Sequence, residues 1–128
     1  RVVDGGISRE FPAGGVDVEK DDLKDMAHLE VMEELGLRIS PGQIRPLAEG
    51  PVKVNASNSG DMAHFFYFEK EVSRAFLEES EGKSTGVHED GEFINVRVMR
   101  MASVASELTS SALIGLKLLE RKLRRTFL

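Results

Sequence analysis

Apolar and polar positions along the chain change their period several times, and each change marks an element. Val2-Val3 and the apolar positions leading to Phe11 flank Asp4-Gly5-Gly6, which predicts a hairpin with strands at 1–3 and 8–11. Pro12-Ala13-Gly14-Gly15 then breaks the pattern into a loop. Asp21 and Asp22 open a helix predicted over 22–35, since acids suit the positive end of the helix dipole. Gly36 stands where a left-handed cap residue is wanted, and Pro41-Gly42 makes the next turn. Strands are predicted at 44–49 and 52–54, a polar loop at 55–60, and a strong aromatic strand at 62–68. Residues 78–91 are acidic, contain glycine and lack apolar periodicity, so they predict a long loop of the kind that often carries function. Alternation at 93–98 gives another strand. A short helix is expected at 101–108 and a longer one at 110–125, striped by Leu113, Leu116, Leu119 and Leu123.

This order of strands, helix, strands, loop, strand and helices predicts an α/β layered domain, a mixed sheet with helices packed on it. The 128 residues suffice for one core, so residues 1–128 are read as a single domain. The chain opens at Arg1 without a methionine, as a processed or trimmed piece would.

Charge and composition remove several function classes. A net charge of -5 argues against a general nucleic-acid or membrane-surface binder, because both need a basic face. An anionic substrate stays open, since carboxylates can hold it through metal ions. Cysteine is absent, so thiolate metal sites, cysteine nucleophiles and disulfides are excluded. No apolar run approaches the roughly 20 residues of a membrane span, and no signal-peptide pattern is seen. A soluble, intracellular protein is expected, with cytoplasm and organelle not distinguished.

The chemistry concentrates on the first helix. At 100° per residue, Glu30, Glu33 and Glu34 fall within an arc of roughly 100°. Carboxylates so close repel one another by a few tenths of a kcal/mol per pair even in solvent. Spacing alone favours a solvated acidic face; the alternative is a hard cation such as Mg²⁺, Mn²⁺ or Ca²⁺.

The flanks of that helix change the balance, because the segment resembles the signature of the Nudix hydrolase family. Gly15 is followed by five residues, Asp21, seven residues, and Leu29-Glu30-Val31-Met32-Glu33-Glu34-Leu35-Gly36-Leu37. Gly15, the three glutamates, Val31, Gly36 and Leu37 are all in register with the family's box. Asp21 stands where the family has glutamate, and Leu29 where it has an arginine that orients a glutamate of the box. Further likeness, covering most of the chain, is to ADP-ribose and ADP-sugar diphosphatases, the plant type above all. It is carried by Glu10-Phe11-Pro12-Ala13-Gly14-Gly15, by the segment from Gly86-Val87-His88-Glu89-Asp90-Gly91-Glu92 to Val96, and by the last helix. Only 14 residues precede Gly15, where members carry additional strands, so N-terminal strands are expected to be missing.

The resemblance implies a Nudix fold, a mixed β-sheet sandwiched between helices in α/β/α layers. It implies metal ligation by Glu30 and Glu34, with Glu33 as a further or water-bridged ligand and the Ala13 carbonyl completing the site. Glu92 matches the loop glutamate that serves as base or metal-water partner, with Glu89 and Asp90 as alternatives. The implied cofactor is Mg²⁺ or Mn²⁺, the implied partner a nucleotide-sugar substrate, and the implied assembly a homodimer. The implied reaction splits a nucleoside-diphosphate sugar of the ADP-ribose or ADP-glucose type into a nucleoside monophosphate and a sugar phosphate. Leu29 favours a second reading, a catalytically weakened module that binds a nucleotide or a protein. A third is hydrolysis of another diphosphate.

Other residues carry less. His28, His64 and His88 lack metal-ligand spacing and read as structural. Gly14-Gly15 is no phosphate loop, because no Gly-Lys-Ser/Thr follows. Phe65, Phe66 and Tyr67 alternate across a strand, so at least one belongs to the core. Ser57, Ser59 and Ser110 have no companion His and Asp for nucleophilic catalysis. Arg121, Lys122, Arg124 and Arg125 complement the last helix's dipole.

Overall fold

The computed structural model describes residues 2–3, 6–7, 11–15, 20–54, 62–85, 94–104 and 108–124. Helix α1 runs Leu23–Leu35, close to its predicted bounds. Asp22 caps it with extended backbone, and its Oδ1 accepts from the Asp25 N–H at 3.1 Å. Gly36 ends it at φ 66°, a left-handed conformation that glycine adopts without Cβ strain, and donates its N–H to the Met32 carbonyl at 3.0 Å.

The strands form four two-stranded antiparallel ladders among the described residues. β1 (Val2–Val3) pairs with β2 (Gly6–Ile7), so the return strand begins at Gly6, earlier than the predicted 8–11. Residues 8–10 lie outside the described residues. β3 (Arg45–Pro46) pairs with β6 (Phe66–Tyr67), and β4 (Val52–Lys53) with β5 (Met62–Ala63) is nested inside that pair. Residues 45–54 and 62–67 therefore run antiparallel to each other as two arms. Six residue steps on the first arm, from Pro46 to Val52, face three on the second, and the bent segment 47–51 absorbs the excess. β7 (Ser84–Thr85) pairs with β8 (Ile94–Asn95).

Residues 78–85, predicted as part of a long loop, are ordered otherwise. Helix α2 spans Arg74–Ser80 and leads through a short turn into β7. Its start is local chemistry: the Ser73 hydroxyl accepts from the Phe76 N–H at 3.1 Å. Seven residues whose apolar positions, Ala75, Phe76 and Leu77, are all adjacent are too few to show a helical period. Helix α3 is a single turn, Met101–Val104, and α4 runs Ser110–Leu123. No helix among the described residues is long and apolar enough to cross a membrane.

Pleating explains the layers. Phe66 and Phe68 pack on the core cluster of Val31, Ile39 and Ile44 beneath α1. Phe65, one residue out of phase, lies against Gly115 of α4. The aromatic strand thus has a helix on each face, and the mixed α/β layered class read from the element order holds. On α4 the buried residues are Ala112, Gly115, Leu116 and Glu120, so the predicted leucine stripe meets the interior through Leu116, flanked by half-buried Leu113, Leu119 and Leu123. Glu120 lies 3.1 Å from the Lys117 ammonium.

Gly115 is required by that contact. A Cβ there would lie 3.1 Å from two ring carbons of Phe65. Gly115→Val should lower unfolding stability by about 1–3 kcal/mol through overpacking. A urea midpoint unchanged from the parent would show that Phe65 yields instead.

Candidate active site

Helix α1 does not follow an ordinary amphipathic pattern. Leu29 is 42% exposed and Met32 39%, while Glu34 is 6% exposed. A buried acid beside exposed apolar residues is the inverse of what folding alone would select, and such local violations gather at functional positions. Glu30 is half-buried and Glu33 is exposed. Glu30 and Glu34, four residues apart, share a row on the helix surface.

The segment 11–15 lies across this row. The Ala13 N–H donates to Glu34 Oε2 at 2.9 Å, a contact across 21 residues of chain. Gly14 lies against Glu30. A Cβ built on it would fall 2.0 Å from Glu30 Oε1 and 2.5 Å from Cδ, so only glycine permits this approach. Gly15, by contrast, has open space around its Cβ position. Ala13 was expected here for its carbonyl; the contact the structure displays is made by its N–H.

The last turn of α1 is held from other directions as well. The Thr85 hydroxyl of β7 donates to the Glu34 carbonyl at 2.5 Å. The Lys83 ammonium sits over Gly36, 2.9 Å from where its Cβ would be, which suits a cation at the negative end of the dipole. His28 is hydrogen-bonded through Nε2 to the Ile39 carbonyl, in keeping with the structural role expected of it.

The structure therefore brings together Ala13, Gly14, Glu30, Glu34 and Thr85, with Glu33 facing out beside them. Gly14 and Thr85 are additions to the sequence reading. The doublet Gly14-Gly15 was visible as a chain break but carried no sign of which glycine meets a carboxylate. Asp21 is half-buried just ahead of α1. Glu89, Asp90 and Glu92, together with His88, Ser57 and Ser59, lie outside the described residues.

Among the described residues no group of three or more His, Asp or Glu side chains is gathered tightly enough to hold a metal ion by itself. Mg²⁺ demands hard oxygen donors and is commonly held by one or two carboxylates, completed by water and substrate phosphates. Glu30 and Glu34 supply two such carboxylates on one helix row.

Comparison with known proteins bears on the same segment. The model of the NUDIX domain matches residues 3–120. The chain is similar to Nudix hydrolase 14, chloroplastic, of Arabidopsis thaliana, with 33% identity over 107 residues that cover 77% of this chain and 34% of that protein. It thus spans about a third of the length of that relative. No solved structure gives a significant match. With the domain model matched from the first hairpin through the carboxylate helix to α4, the chain belongs to the Nudix hydrolase family.

Proposed function

We propose that this chain is the Nudix domain of a metal-dependent hydrolase that cleaves the diphosphate of a nucleoside-diphosphate sugar, of the ADP-ribose or ADP-glucose type, into a nucleoside monophosphate and a sugar phosphate. The observation that carries the reading is the buried Glu34 carboxylate, aligned with Glu30 and covered by the main chain of Ala13 and Gly14. The choice of a nucleotide sugar rests on the likeness of residues 10–15 and 86–96 to ADP-sugar diphosphatases. Homodimerisation belongs to the same reading and rests on the same likeness.

In this mechanism Glu30 and Glu34 would hold Mg²⁺ or Mn²⁺ with the Ala13 carbonyl, and Glu33 would serve as a further or water-bridged ligand. When bound, the ion neutralises phosphate charge and lowers the pKa of coordinated water. Glu92 accepts the proton of the water that attacks phosphorus, with Glu89 and Asp90 as alternative bases. The bridging P–O bond breaks, and the departing phosphate carries the bridging oxygen.

Purified chain with Mg²⁺ is expected to release AMP from ADP-ribose or ADP-glucose; no AMP from either, or from a wider nucleotide-sugar panel, sinks the reading. Exposed Leu29 supports a second reading, a module that binds a nucleotide or a protein without turnover. The two separate on Leu29→Arg. The site is open to solvent, so the substitution costs little packing, and an arginine there reaches Glu33 one turn on. A working parent should gain turnover by up to about tenfold from this orienting contact. An inert parent awakened by Leu29→Arg would show the natural site to be degenerate, as the second reading expects.

A further inference from the structure

We propose that Thr85 is a positioning residue for the Glu34 carboxylate, an inference that rests on the metal-helix reading above. The final carbonyls of a helix have no partners within it and must find donors elsewhere. At the end of α1 the Gly36 N–H takes the Met32 carbonyl, and the Thr85 hydroxyl takes that of Glu34. The donor comes from 51 residues further along the chain. Glu34 is consequently gripped at both ends, its side chain by the Ala13 N–H and its backbone by Thr85.

Thr85 is itself firmly mounted. It stands opposite Ile94 in the β7–β8 ladder, and that ladder extends past its two-residue core through Gly82 N–H to Val96 O at 2.7 Å and Val96 N–H to Lys83 O at 2.8 Å. The grip on Glu34 is therefore referred to a hairpin, not to a single side chain. Strand formation at this position would accept any β-branched residue. What the hydroxyl adds is a donor aimed at the one residue of α1 whose acid is buried. Fixing the backbone there fixes the direction in which the carboxylate leaves the helix, as outer partners of ligand residues do for the metals they serve.

The test compares the parent with Thr85→Val, which keeps the shape and removes the donor, Thr85→Ser, which restores the donor, and Glu34→Gln. Mn²⁺ affinity is measured by calorimetry without substrate, and thermal midpoints are recorded on the metal-free proteins. Thr85→Val is expected to bind Mn²⁺ about 10- to 100-fold more weakly, and Thr85→Ser to recover most of that loss. A purely structural hydroxyl would lower the midpoint of Thr85→Val and leave the Mn²⁺ affinity of the folded protein unchanged. Parental affinity in Thr85→Val beside lost binding in Glu34→Gln overturns this inference alone, as does a serine variant as weak as the valine one. Parental affinity in Glu34→Gln, or a parent without Mn²⁺ binding, overturns the metal-helix reading and this inference with it.

Discussion

Glu34→Gln is expected to reduce turnover of a nucleotide sugar by more than about 100-fold, while unfolding stability stays within about 1 kcal/mol of the parent. The two effects separate because glutamine keeps the shape of the side chain and an oxygen for the Ala13 N–H, yet loses the charge. Glu34 is buried on the inner side of α1, so its charge has to be balanced by partners instead of by bulk water. In the proposed function that balance comes in part from a divalent cation, and removing the charge removes the reason for the cation to bind. Glu34→Leu gives the complementary result. It leaves the Ala13 N–H without this acceptor and should cost about 1–3 kcal/mol of stability. Steady-state kinetics in Mg²⁺ and urea unfolding on the same preparations check both. A glutamine variant with parental turnover would show that the buried carboxylate serves folding alone.

The helix that carries these residues was largely legible because its ends are decided locally. Asp22 caps the start through its own side chain, and Gly36 accepts the positive φ at the end. The spacing of Gly15, Glu30, Glu33, Glu34 and Gly36 is a property of the chain and points to the family before any contact is known. The inward turn of Glu34 is another matter. An acid on a helix with Leu29 and Met32 nearby reads as the solvent side, and only the covering segment 11–15 shows why the faces are exchanged. That segment arrives through a contact between residues distant in sequence, which no local period encodes.

The sheet divides along the same line. The aromatic run at 62–68 announces a strand, and its alternation assigns Phe66 and Phe68 to one helix and Phe65 to another. The partner and register of that strand depend on the irregular segment 47–51, whose extra residues shift the pairing between the two nested ladders. Helix α2 escaped because its one clear mark, the Ser73 cap, precedes a helix too short to display a period.

Gly14→Ala should weaken Mn²⁺ binding and turnover by about 10- to 100-fold and change stability by less than about 0.5 kcal/mol. The added methyl would fall 2.0 Å from Glu30 Oε1, 2.5 Å from Cδ and 3.1 Å from Cγ, so something has to move. Those atoms are the far end of a flexible side chain on an otherwise rigid helix. Rotating the Glu30 carboxylate away disturbs less packing than displacing the main chain of residues 11–15, which the Ala13 N–H ties to Glu34. The fold therefore tolerates the change, and the carboxylate row does not. Backbone strain does not confuse the result, because the positive-φ glycines among the described residues are Gly36 and Gly82. Gly15→Ala is the matched control. Its Cβ position is open, so the same methyl one residue later should leave binding, turnover and urea midpoint at parental values. A reversed pair of results, with Gly15→Ala impaired and Gly14→Ala unaffected, would place the covering segment differently over α1. The approach of Gly14 to Glu30 would then have no part in shaping the site.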